Sequence, residues 1–173
     1  MAKEDFVFFW NGTYSQWEPS KFTIDGIEYN CCEQYMMAKK ALVFKDQESY
    51  NMIMYADNPR DQKAFGRRVK NFDADVWSVI SREVVYQGNY AKFTQNPKMR
   101  EELMATGDLE IVEASPEDKI WGIGLRESDP KAWDKATWQG TNWLGEAVMR
   151  VRQKLREEDM AFMAQELKNT RGE

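Results

Sequence analysis

Histidine is absent from this chain of 173 residues. Without it there is no Ser/His/Asp or Cys/His catalysis and no His-ligated metal site. Cysteine is nearly absent: the two present, Cys31 and Cys32, are neighbours. Adjacent Cα atoms lie about 3.8 Å apart, below the roughly 4.4 Å at which ordinary disulfides begin, so the pair is reduced. A thiol nucleophile would lack its imidazole base, and burial as small apolar side chains is the simpler role. No apolar run approaches membrane-spanning length and no charged-then-apolar leader opens the sequence, which predicts a cytoplasmic protein with no membrane partner. Internal repeats, low-complexity tracts and a domain linker are also missing. The net charge of −5 argues against non-specific binding to long nucleic acid, although a local basic cleft remains compatible with it. Acid–base chemistry is left to Asp, Glu, Lys or Tyr.

The residues that are present describe an ordinary soluble chain, 42% hydrophobic and 31% charged, long enough for one domain with a real core. Aromatics reach 13%, with seven Trp; clefts for flat ligands use such residues, and so do cores. The organising stretch is 29–42. Asn30 reads as its helix N-cap, and from Glu33 onward it holds good helix formers with no Gly or Pro. Glu33 and Lys40 are about two turns apart on one face, roughly 10 Å along the axis. Met36 and Met37 lie between them on the same stripe. An anion and a cation thus bracket an apolar patch, and burying either is costly unless it is paired or has a task. The plain alternative is an exposed face with both charges solvated.

Around this stretch the punctuation predicts a mainly α, single multihelical domain with short N-terminal strands, a hairpin and one small central strand. Residues 6–10 read as a buried strand ended by Asn11-Gly12, and 21–29 as a hairpin turning at Asp25-Gly26. Helices are expected at 46–55, at 60–69 after the Asp57-Asn58-Pro59 break, at 73–93 with fraying near Gly88, and at 97–105 before Gly107. Residues 109–114 form a short strand. The polar stretch 126–139 is expected to be a mobile lid. The last core helix is 142–156. Residues 157–173 are expected to be a charged helical extension, frayed from 168, so the domain proper is 1–156.

The ordered motifs resemble the NADAR family. Residues 22–26 followed by Glu33-Gln34-Tyr35 and Ala38-Lys39-Lys40 are similar to its "DG…EHY…QAxK" opening, and Gly66-Arg67 to its "GR". Thr106-Gly107-Asp108, Val112-Glu113-Ala114-Ser115-Pro116-Glu117-Asp118 and Trp121-Gly122-Ile123-Gly124-Leu125 resemble "TGD…LVEASPxDxxWGxGL". Gly140-Thr141-Asn142-Trp143-Leu144-Gly145 and Met149-Arg150-Val151-Arg152 resemble the closing "GxNxLGxxLMxVR". The likeness spans roughly 8–156 with every block in order. The chain departs from it at Gln34, where the family commonly has His, and at Met37 and Lys39. The resemblance implies a mainly helical fold and N-glycosidase chemistry on a nucleotide-like ribosylamine, with an ADP-ribose adduct as the leading substrate. The alternatives are removal of ADP-ribose from guanine in nucleic acid, an N-glycosidase of riboflavin-pathway intermediates, and a non-catalytic ADP-ribose or NAD-binding module. No metal and no cofactor is implied.

Cleaving a ribose C1–N bond builds positive charge at C1, which a carboxylate stabilises. A desolvated lysine can add to an opened sugar as a Schiff base. Glu33 and Lys40 are the candidates, joined by Asp118, which sits in a loop and could equally cap a turn. Arg67 is the candidate for a phosphate, with a surface ion pair as its alternative. Trp121 is the candidate for stacking on a base, and Gly122 for close backbone approach. Ser15 and Trp17 lie in Tyr14-Ser15-Gln16-Trp17, which resembles the family's "FSNF"-like loop, and are candidate pocket residues. Asn142 completes the substrate-binding set, with helix capping as the stronger alternative. Lys63, Arg67, Arg68 and Lys70 are the basic path that a nucleic-acid substrate would need.

Overall fold

Two short sheets and six helices make up residues 2–172, the part of the chain that the computed structural model describes. Strand β1 (Phe6–Phe9) leads through a loop to a hairpin of β2 (Phe22–Ile24) and β3 (Ile27–Tyr29). Helices α1 (Cys32–Val43), α2 (Gln47–Tyr55), α3 (Pro59–Gly66), α4 (Ala74–Gln95) and α5 (Pro97–Ala105) follow. Strand β4 (Glu110–Glu113), two 3-10 turns at Pro130–Trp133 and Lys135–Thr137, and helix α6 (Trp143–Arg171) complete the chain. The mainly α architecture is the one the sequence predicts.

Helix α1 is the axis. Every residue from Cys32 to Ala38 is buried, because α2, α3 and α4 all pack on it. Its cap is Cys31, not Asn30, and the cap makes no side-chain bond. The Asn30 N–H instead donates to Gln34 Oε1 at 2.8 Å, while Gln34 Nε2 reaches the carbonyls of Ile53, Met54 and Ala56 at the end of α2. Gln34 is therefore a latch between α1 and α2, fully occupied with backbone partners.

Close contacts set the helix positions. At Gly66 an added Cβ would stand 2.0 Å from Met37 Sδ, so α3 lies directly on α1. Gly88 is pressed against the Tyr35 ring, 2.8 Å from where a Cβ would be. Helix α4 runs unbroken through it, where fraying was expected, since the glycine serves packing and not a break. Helix α3 stops at Gly66, short of the expected 69, with Arg67 as its C-cap.

Strands β1 and β4 pair in parallel, Phe6 opposite Glu110 and Phe9 opposite Glu113. The hairpin turns on Asp25 and Gly26, both at positive φ (51° and 78°), as a type I′ turn requires. The segment 126–139 is not a free lid. Ala132 is fully buried with Phe6, Val112, Ile123 and Leu125, and the indole N–H groups of Trp133 and Trp138 bond the carbonyls of Glu127 and Ala132. Helix α6 continues past 156 without a break to Arg171, where fraying from 168 was expected; residue 173 lies outside the described residues. Among the described residues no helix is long and apolar enough to cross a membrane.

Candidate active site

Glu33 opens α1 and is only 6% exposed. Its backbone N–H donates to the Gln16 carbonyl at 3.0 Å, so the loop after β1 lies across the start of the helix. That loop is held from below by Lys92, a fully buried side chain of α4 whose ammonium donates to the Ser15 carbonyl at 3.0 Å. Burial lowers the Lys92 pKa, against the raising influence of Cys32, Glu18 and Cys31. Both thiols are buried and unpaired, and burial pushes them up to about 11 for Cys31 and about 12 for Cys32. The Cys31 thiol donates to Gln62 Oε1 at 3.1 Å, and Cys32 is apolar filling.

Burial also pushes the Glu33 carboxyl up to about 7, with Asp118 adding to the rise and Lys63, Lys40 and Arg67 opposing it. Lys40, half-buried, is shifted down by desolvation and by Arg67, while Glu33 pulls the other way. Its ammonium lies 4.3 Å from the Phe72 ring centre. That contact is a cation–π one, which favours the ammonium, and the ring itself is exposed, while Met36 and Met37, expected to desolvate the amine, belong to the core. Lys63, on α3, places its ammonium 5.8 Å from the centre of Trp17. None of the ion pairs among the described residues uses Lys40, Lys63 or Arg67. Three cations without a carboxylate partner beside one buried acid make a site suited to an anionic ligand.

A second acid, partly buried, completes the cluster. Glu113 ends β4, and burial pushes its carboxyl up to about 8, with Asp118 and Glu33 adding to the rise and Lys63 opposing it. Its Oε2 is buried and has no hydrogen-bond partner. The strand end that carries it is fixed: Asn142 Oδ1 accepts from the Glu113 N–H at 3.0 Å, and Asn142 Nδ2 donates to the Ile111 carbonyl at 2.9 Å.

The sequence-predicted residues thus divide. Glu33, Lys40, Asp118 and Arg67 come together, with Trp17 at the edge through Lys63. Asp118 Oδ1 accepts from the backbone N–H groups of Ile120 and Trp121 at 2.9 and 2.8 Å, so it caps that turn while its charge acts on both glutamates. Ser15 Oγ accepts from the Trp17 N–H and shapes the loop. Trp121 packs edge-on to Trp143, ring centres 5.8 Å apart. Gly122 faces its own chain, since a Cβ there would lie 2.9 Å from the Glu113 carbonyl and 3.0 Å from that of Asp118. Asn142 sits at the N-cap position with φ of 54° and makes no side-chain cap, its amide being spent on β4. Sequence reasoning missed Glu113 and assigned Lys63 only to a basic path. The available signal was an acid at the end of a strand, directly after the buried pair Ile111-Val112. Among the described residues no group of three or more Asp, Glu, Cys or His is placed to hold a metal.

Two carboxyls raised by burial, with Lys63 acting on both, sit on a small mainly helical body, an arrangement that suits acid–base hydrolysis. The chain belongs to the NADAR domain family, whose model matches residues 8–156. It is similar to an N-glycosidase of Acanthamoeba polyphaga mimivirus, 39% identical over 88% of this chain and 98% of that one. It is also similar to an N-glycosidase of Nostoc punctiforme, 28% identical over 84% and 86%. The solution structure of the E. coli protein YbiA shares the fold, with a TM-score of 0.75 at 24% identity over 92% of this chain and 89% of that one. At the level of reaction class, the chain is an enzyme that hydrolyses N-glycosyl bonds.

Proposed function

We propose that the substrate is a nucleotide-like ribosylamine, foremost ADP-ribose joined through C1 to an amine. The observation that supports this most is the buried Glu33 carboxyl with Lys40, Lys63 and Arg67 acting on it, none of the three in an ion pair among the described residues. The cations receive the phosphates, and Trp17 borders the same edge. At C1 the Glu33 carboxylate faces the positive charge that develops as the C1–N bond stretches, in a site where water does not screen it. Desolvation lowers the Lys40 pKa and so favours the neutral amine, the form that adds to an opened C1 as an imine.

Removal of ADP-ribose from guanine in nucleic acid would need the basic path to continue outward. Arg68 and Lys70 instead border a separate cavity of about 200 Å³ with Glu48 and Phe65, and Lys70 pairs with Glu48 at 3.6 Å. This arrangement favours a free nucleotide adduct. The experiment is incubation with free amine-linked ADP-ribose adducts and with ADP-ribosylated DNA, with borohydride added during turnover. Release of the amine from the free adduct, and a reduced adduct mapped to Lys40 by peptide mass spectrometry, are expected. Lys40→Ala should lose the adduct and most activity, while Lys39→Ala should lose neither. Turnover without a trappable adduct, with Lys40→Arg nearly as fast, would leave Lys40 an electrostatic partner only.

A further inference from the structure

Nothing above gives Glu113 a task, and its surroundings are costly without one. Its Oε2 is buried with no partner, whereas nearly all buried polar atoms in folded proteins are hydrogen-bonded. It stands with Glu33 from α1 and Asp118 from the loop after β4, and the one cation acting on it is Lys63 from α3. Its backbone cannot drift. The N–H is held by Asn142, the carbonyl accepts from Ile123 N at 3.0 Å, and Gly122 packs directly on that carbonyl. A rigidly placed acid with an unused oxygen, next to a second acid and facing a cationic ligand site, is an arrangement for proton transfer.

We propose that Glu113 is the general acid of this site, giving its proton to the nitrogen that leaves C1 while Glu33 remains ionised against the charge at C1. The inference rests on the N-glycosidase reading and extends it. As the C1–N bond breaks, its electron pair stays on nitrogen, which takes the Glu113 proton and departs as a neutral amine. C1 is then captured, and the water that finally adds to it gives one proton back to the Glu113 carboxylate and keeps the other in the new C1 hydroxyl. The balance is one water consumed, one C–N and one O–H bond broken, one C–O and one N–H bond formed. Burial and the shared acidic neighbourhood raise both carboxyls, so that one of the pair can hold a proton beside an ionised partner; the unpartnered Oε2 marks Glu113 as the one with a free donor position.

The test compares wild type, Glu113→Gln and Glu113→Asp on two probes: an amine-linked ADP-ribose adduct, and ADP-ribose carrying 4-nitrophenol at C1, whose leaving group needs no proton. On the amine probe Glu113→Gln should lower kcat by about 10²-fold or more, leave KM nearly unchanged, and remove the alkaline limb of the pH profile. Glu113→Asp should keep that limb at reduced rate. The nitrophenyl probe should lose less than about tenfold; if wild type does not turn it over, the alkaline limb decides alone. An alkaline limb that survives in Glu113→Gln, or equal losses on both probes, overturns the assignment and leaves the N-glycosidase reading standing. A wild type inactive on both probes removes the ADP-ribose substrate, and this inference as stated for it.

Discussion

At the scale of single residues, the site is defined by which charges are left without partners. Arg67 is exposed, caps α3 and has no carboxylate partner, yet it acts on both Glu33 and Lys40. Arg67→Ala should weaken substrates that carry a phosphate by about 1–3 kcal/mol and leave dephosphorylated analogues nearly unaffected. Isothermal titration with paired ligands reads this directly, and equal losses on both would assign Arg67 to general electrostatics. Glu33 and Lys40 stand out in the sequence through helical spacing and motif order, and Arg67 through its motif alone. Glu113 does not, since it enters only as one position of a motif at the end of a short strand. Only the fold shows that α1 and the 118 loop cover it. Gln34 shows why the departure from the family's His is harmless to the fold: the amide supplies both an acceptor for Asn30 and a donor to the end of α2.

At the scale of elements, the site depends on how closely α3 lies on α1, because α3 carries Lys63 and α1 carries Glu33 and Lys40. The spacer is Gly66. Its missing Cβ leaves room for Met37, whose Sδ, Cγ and Cβ would all lie within 3.2 Å of an added methyl. Gly66→Ala gains helix propensity but must push the helices apart, because Met37 cannot swing away through its Cβ. Overpacking of this kind costs about 1–3 kcal/mol, measurable by urea unfolding, and should raise KM for phosphate-bearing substrates as Lys63 and Arg67 move off. A stabilised variant with unchanged KM would show that Met37 repacks freely. The elements themselves were mostly legible, because Asp46, Asn58-Pro59, Asp73 and Pro97 punctuate the helix starts. The 126–139 segment was misread as a lid: its polarity hides one buried alanine and two tryptophans bonded to its own backbone. The burial of α1 from Cys32 to Ala38 was not legible either. A stretch covered all round carries no single apolar stripe, and its charge at Glu33 resembles that of a surface position.

For the whole molecule, the same two acids make folding depend on pH in an unusual direction. Glu33 and Glu113 both lie above the ordinary carboxyl value of 4.5, at about 7 and about 8. Between pH 4.5 and about 8 the folded chain therefore holds protons that the unfolded chain has released. Stability then falls as pH rises across that window, since the slope follows protons bound unfolded minus folded. Each pKa unit is worth about 1.36 kcal/mol, so the loss is on the order of a few kcal/mol; the two acids share one neighbourhood and do not add independently. Asp46 works the opposite way, held down to about 2 chiefly by Ser49 and the Lys70 N–H, but its stabilisation is lost only as pH falls through that value, outside the window. Lys92 and Lys40, both shifted down by desolvation, act in the opposite sense within the window, so the share of Glu33 is read as the difference between wild type and a variant. Glu33→Gln, which carries no charge to bury, should flatten the dependence and exceed wild type in stability at pH 8.5 while losing about 10²-fold in turnover. Thermal unfolding followed by circular dichroism from pH 5 to 9 measures both curves. Parallel curves for wild type and Glu33→Gln would mean that Glu33 titrates alike in the folded and unfolded chain, and that the charge placed at C1 is not held there at a cost in stability.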